Sequence, residues 1–139
     1  MAADHNYSSM TERGNLSFSR VMAFPVTTTE TNILVIDSGA LGLHSVSITL
    51  KNTHASVAIN LDVYVSNDKG ESSGWLNLAN AYDEADVSVA LPLAIAAGAT
   101  DHIILGYKNQ PQYTLFRYWR FTVATGANTS TCNIYAQGR

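Results

Sequence analysis

Val57-Ala58-Ile59-Asn60-Leu61-Asp62-Val63-Tyr64-Val65 places an aliphatic residue at every odd position and a small, polar or amphipathic one between. A two-residue period of this kind is a strand with one dry face. The same period runs through Val46, Ile48 and Leu50, and through Val87, Val89, Leu91, Leu93 and Ile95. Half-buried strands need a second layer to cover them, so the pattern predicts an all-β chain folded as an antiparallel β-sandwich or jelly roll.

At 139 residues the chain suits a single core. The one cysteine, Cys132, has no partner for an internal disulfide, so packing, strand pairing or partner chains must supply stability. Only 14% of residues are Asp, Glu, Lys or Arg, well below the usual quarter, and such weakly charged surfaces associate readily. The net charge of −3 comes without a basic run, which argues against a nucleic-acid partner. No apolar stretch has the length of a signal peptide or a membrane span, so the expectation is synthesis in the cytoplasm and no membrane partner.

Residues 1–19 are polar and carry few apolar anchors: Tyr7, Met10, Leu16 and Phe18. They read as an N-terminal arm ahead of a sandwich domain at 20–139. Ordering such an arm costs on the order of 1 kcal/mol per residue, so it requires a holder. A neighbouring subunit or a larger surface fills that role, with the four apolar anchors as the assembly interface; packing along its own sandwich is the competing explanation.

The body is expected to hold about eight strands. Val21 to Val26 comes first, with Pro25 suited to an edge. Ile33 to Asp37 ends in a turn at Ser38-Gly39-Ala40. Leu43 to Lys51 and Ser56 to Val65 read as an antiparallel hairpin. Ser66 to Gly74 is dense in turn formers, Trp75 to Leu78 returns as a strand, and Ala79 to Asp86 is a loop or one helical turn. Val87 to Ile95, His102 to Tyr107, Phe116 to Val123 and Thr131 to Ala136 complete the set, with the aromatic block at 116–123 expected in the centre.

The chain holds no strong catalytic signature, and no enzyme activity is expected. His5, His44, His54 and His102 lack zinc-site spacing, and Cys132 is simplest as a small buried hydrophobe, so no metal or other cofactor is expected. Asp83, Glu84 and Asp86, joined by Asp62 or Asp68, offer oxygen ligands to calcium, but an EF-hand pattern is absent and a solvated acidic loop is favoured. A hydrolase using that loop ranks last. Arg117 and Arg120 are expected to lay their stems on apolar surface and reach acids on neighbouring strands. Tyr64, Tyr82, Tyr107 and Tyr113 would form a binding face if they lie at one end of the sandwich.

The Ser66-Asn67-Asp68 turn, Trp75-Leu76-Asn77-Leu78, Leu93 to Ala99 and the strand Phe116-Arg117-Tyr118-Trp119-Arg120-Phe121 together resemble the small β-sandwich virion proteins of tailed bacteriophages. The resemblance spans about residues 20–139. It implies a structural protein of the virion, of the capsid decoration or cement type, built as a homo-oligomer, often a trimer. Its partner would be the major capsid protein or another virion protein. The alternative is a glycan-binding or adhesin module of a tail or head fibre, with Trp75 and Tyr82 stacking on sugar rings.

Overall fold

The computed structural model describes residues 16–106 and 115–139, with backbone alone for 20–23. Tyr7, Met10, His5, Tyr107 and Tyr113 lie outside the described residues. Eleven strands are present among those described: β1 (Leu16–Val26), β2 (Thr31–Asp37), β3 (Val46–Asn52), β4 (Ile59–Ser66), β5 (Leu76–Asn77), β6 (Asn80–Tyr82), β7 (Ser88–Ala90), β8 (Leu93–Ile95), β9 (Thr100–Leu105), β10 (Tyr118–Ala124) and β11 (Ser130–Gly138). One helical turn, α1 (Ser38–Leu41), follows β2.

The strands form two antiparallel sheets, ordered β1-β11-β3-β9-β6-β7 and β2-β10-β4-β5, with β8 also paired to β4. β5 meets Tyr64 and Val65 while β8 meets Ile59 to Leu61, so these two short strands share one edge of β4 end to end. With that shared edge counted once and the β6–β7 hairpin set aside, eight strand positions remain. They lie in the double Greek-key order of a jelly roll. The expected two-layer all-β fold is therefore the observed one, with eleven strands among the described residues where about eight were expected.

The period-two pattern of β4 does what it predicts: Ile59, Leu61, Val63 and Val65 are fully buried between half-exposed Asn60, Asp62 and Tyr64. β10 lies between β2 and β4, the central place expected of the aromatic block, with Trp119, Phe121 and Val123 wholly buried. The Trp119 indole N–H donates to the Phe116 carbonyl at 2.8 Å, which satisfies the ring's one polar atom.

Three expectations need correction. β3 and β4 are not a hairpin, because β3 pairs with β11 and β9 while β4 pairs with β10, β5 and β8. The connection crosses from one sheet to the other, and Asn52 fastens that crossing. Its buried amide donates to the carbonyls of Val57 (2.8 Å) and Ile95 (3.1 Å) and accepts from His54 N–H (3.0 Å) and the Ser130 hydroxyl (3.2 Å). Residues 87–95 are two strands in different sheets, since Pro92 has no N–H for a ladder and the chain changes layer there. Residues 16–19, expected in the arm, are part of the sheet: β1 pairs with β11 from Leu16 opposite Gly138 onward.

Smaller differences follow local chemistry. Ser38 to Leu41 closes as a helical turn because Asp37 Oδ1 accepts the Ala40 N–H at 3.0 Å and Gly42 ends it at φ 68°. Asn80 to Tyr82, expected as loop or helix, is the strand β6.

Candidate functional site

The sandwich presents two outer faces of different chemistry. On the six-stranded sheet, register sets Ser17, Gln137, Ser47 and Ile104 in one row, and Ser19, Tyr135, Thr49 and His102 in the next. Asn133, Lys51 and Thr100 follow. This face is rich in hydroxyls and amides, with Ile104, His102 and Lys51 among them and Tyr135 exposed at 40%, and a cleft of about 430 Å³ opens over Ser47, Ile104 and Gln137. Leu16 and Phe18, expected at an assembly interface, point the other way; at 1% and 4% exposure they belong to the chain's own core.

The five-stranded sheet carries rings and charges. Tyr64 and Arg120 are opposite each other across β4 and β10, with Val35 and Asn77 completing the row. The Arg120 guanidinium carbon lies 4.3 Å from the centre of the Tyr64 ring and 4.8 Å from that of Trp75. Its Nε is buried without a hydrogen-bond partner among the described residues, so Arg120 rests on rings rather than on an acid, contrary to expectation. The Tyr64 hydroxyl donates to Glu30 Oε2 at 2.7 Å, and Thr122 Oγ1 donates to the same oxygen at 2.6 Å. Burial, then the bond to Glu30, pushes the Tyr64 hydroxyl up to about 12. Arg117 behaves as expected and grips Asp37 through two 2.8 Å bonds, which hold that carboxyl below its usual range.

Ser66 to Gly74 forms a turn organised by one carboxylate. Asp68 Oδ1 accepts from Gly70 N–H (3.0 Å) and from the hydroxyls of Ser66 (3.0 Å) and Ser73 (2.8 Å); Oδ2 accepts from the N–H groups of Ser72 (2.9 Å) and Ser73 (2.8 Å). These donors, the Ser73 N–H foremost, hold Asp68 far below the ordinary carboxylate range. Gly70 sits at φ 77°, and a Cβ there would come 2.3 Å from Trp75 Nε1, so the indole edge lies flush on the turn. Beside it opens a cleft of about 370 Å³ lined by Ser66, Asn67, Ser73, Trp75, Leu76 and Phe116 among others.

Trp75 and Tyr82 are not brought together. Trp75 reaches the outer face of the five-stranded sheet, whereas Tyr82 alternates with buried Ala81 on β6 of the other sheet, and both are half-buried rather than exposed. Tyr64 and Tyr82 are likewise on different sheets, so the described tyrosines do not share one face. Asp83 caps its own turn by accepting from Ala85 N–H (2.9 Å) and Val87 N–H (3.0 Å), and Glu84 pairs with His102. Asp62, which takes the Asn77 amide at 2.9 Å, and Asp68 are on the other sheet or its turn and do not join that loop. Among the described residues no group of three or more His, Cys, Asp or Glu could hold a metal ion. His54 Nδ1 accepts from Ser56 and Val57 N–H, and Cys132 is buried opposite Asn52. No described helix is long and apolar enough to cross a membrane.

Arg120 and Asn67 were not expected as site residues, and Tyr64 was expected only on a face shared with the other tyrosines. The alternation of Trp119, Arg120 and Phe121 already turns Arg120 outward, but only strand register sets it on Tyr64.

No protein-family model matches the chain, and no curated protein does. Similar solved structures include a subunit of Bacillus endospore appendages, described as disulfide-linked pili, at 13% identity, 96% coverage of this chain, 95% of that chain and TM-score 0.49. Another is the SPBc2 prophage-derived protein YomS, at 13% identity, coverage of 93% and 97%, and TM-score 0.47. A chain of infectious bursal disease virus, Gx strain, is 9% identical over 92% of this chain and 32% of that one, at TM-score 0.30. Likeness at this level concerns the course of the chain and assigns no activity.

Proposed function

We propose that the protein is a non-catalytic structural component of a phage virion, seated on the capsid as a decoration or cement protein. The observation that carries this reading is the outer face of β1-β11-β3-β9, rich in hydroxyls and amides and bordered by the edge strand that residues 1–15 lead into. A broad polar surface with few charges suits extended docking onto a repeating shell, where avidity across copies makes up for a weak single contact. The jelly-roll order agrees, since viral capsid domains use it, although lectins and cupins do too.

In this role the protein acts as a homo-oligomer, expected as a trimer, that bridges neighbouring capsid subunits, with residues 1–15 reaching across and the hydroxyl face lying on the shell. The energy needed to part the capsomers then rises. Residues 1–15 are the portion of the arm available for this, because Leu16 and Phe18 are core. Co-sedimentation with purified capsids tests it. A chain lacking residues 1–15 is expected to keep its melting transition and lose shell binding; a truncated chain that binds shells as well as the intact one overturns the role of the arm.

A further inference from the structure

We propose that the cleft beside Trp75 binds a neutral pyranose, as the terminal sugar of a surface polysaccharide, independently of shell docking. A sugar ring offers an apolar C–H face together with hydroxyls that both donate and accept, and a complementary site needs a fixed aromatic wall with one donor and one acceptor beside it. The cleft has each. Trp75 is held on the Arg120 side at 4.8 Å and at its edge by Gly70, so its position is set before any ligand arrives. Leu76 and Phe116 extend the apolar lining, and Leu76 is 55% exposed.

The polar groups divide by role. Asn67 Oδ1 already accepts the Arg117 N–H at 3.1 Å, so the orientation of its amide is set and its NH₂, without a partner among the described residues, is left to donate. Ser73 Oγ gives its proton to Asp68 Oδ1 at 2.8 Å, which leaves its lone pairs to accept. Among the described residues no charged side chain lines the cleft, and the Asp68 carboxylate lies directly behind Ser73. That arrangement selects a neutral sugar over an acidic one. A volume of about 370 Å³ is at the small end of ligand sites, the size of a terminal sugar rather than an embedded chain.

The full-length protein, titrated with methyl pyranosides and applied to an array of neutral and acidic glycans, tests the inference. Millimolar binding of neutral pyranosides is expected, with no preference for uronic or sialic acids. Trp75→Ala should weaken it by about tenfold or more, and Asn67→Ala, an exposed position whose loss leaves the fold intact, by several-fold. Gly70→Ala should act like Trp75→Ala without touching the sugar, because its Cβ displaces the indole. Tyr82→Ala, on the opposite sheet, should change nothing. Absence of binding to every neutral glycan, wild-type affinity in both Trp75→Ala and Asn67→Ala, or a preference for acidic sugars would each overturn it. Because capsid binding is read separately, loss of either activity leaves the other standing.

Discussion

The two outer faces of the sandwich are made by the same alternation yet differ in how firmly their side chains are held. On the five-stranded sheet nearly every large outward group has a partner: Arg120 on Tyr64 and Trp75, Tyr64 and Thr122 on Glu30, Arg117 on Asp37. On the six-stranded sheet most outward groups are short hydroxyls and amides, such as Ser17, which takes a 3.0 Å bond from Gln137, with Tyr135, His102, Ile104 and Lys51 between them. One face holds large rings and charges in fixed contacts, and the other presents mainly short polar groups that bond across neighbouring strands. The ordered face suits a small ligand that needs fixed geometry, and the open face suits a broad surface that needs area.

The difference has consequences for stability. Arg120→Ala removes two ring contacts and the cover its stem provides, and is expected to cost about 1 to 2 kcal/mol. That lowers the melting temperature by roughly 5 °C in calorimetry. A smaller loss would mean that the stack is ornamental and the two faces are alike.

Acid provides a second, milder probe. The carboxyl of Asp68 is lowered in the folded state, so the stability it lends is present above the unfolded carboxylate value near 4 and is lost only as pH falls through the lower folded value. The Trp75 emission spectrum should therefore hold steady from pH 7 to about 4. Asp68→Asn should shift that emission at neutral pH, while buried Trp119 acts as a constant background. An emission change centred on the ordinary carboxylate range would show that the donors of the turn do not hold the Asp68 carboxyl low.

The smallest effect belongs to the open face. Tyr135→Ala, at 40% exposure, should alter stability by less than about 0.5 kcal/mol while weakening capsid co-sedimentation. A destabilisation matching that of Arg120→Ala would erase the contrast.

Much of this was legible in the residues. β4 and β10 announce their buried faces, because period two is a direct record of which side of a strand is dry. It does not record which sheet a strand joins, and that is why β3 and β4 looked like a hairpin when they lie in separate layers. The break at residues 87–95 had a visible marker in Pro92, overridden by the regular spacing of Val87, Val89, Leu91, Leu93 and Ile95. At the candidate site, the Ser66 to Gly74 turn was readable from its composition, whereas the seating of Trp75 under Arg120, 45 positions downstream, depends on how separate strands pair.

Pairing the first described strand with the last also governs how the protein is made. β1 has its ladder partner in β11, more than a hundred positions downstream, so the six-stranded layer cannot close until residue 138 has cleared the ribosome. Until then Leu16, Phe18 and Val26 belong to a strand that lacks its cover, and a nascent chain stalled before Ser130 would present a sticky ribbon to chaperones and to other copies of itself.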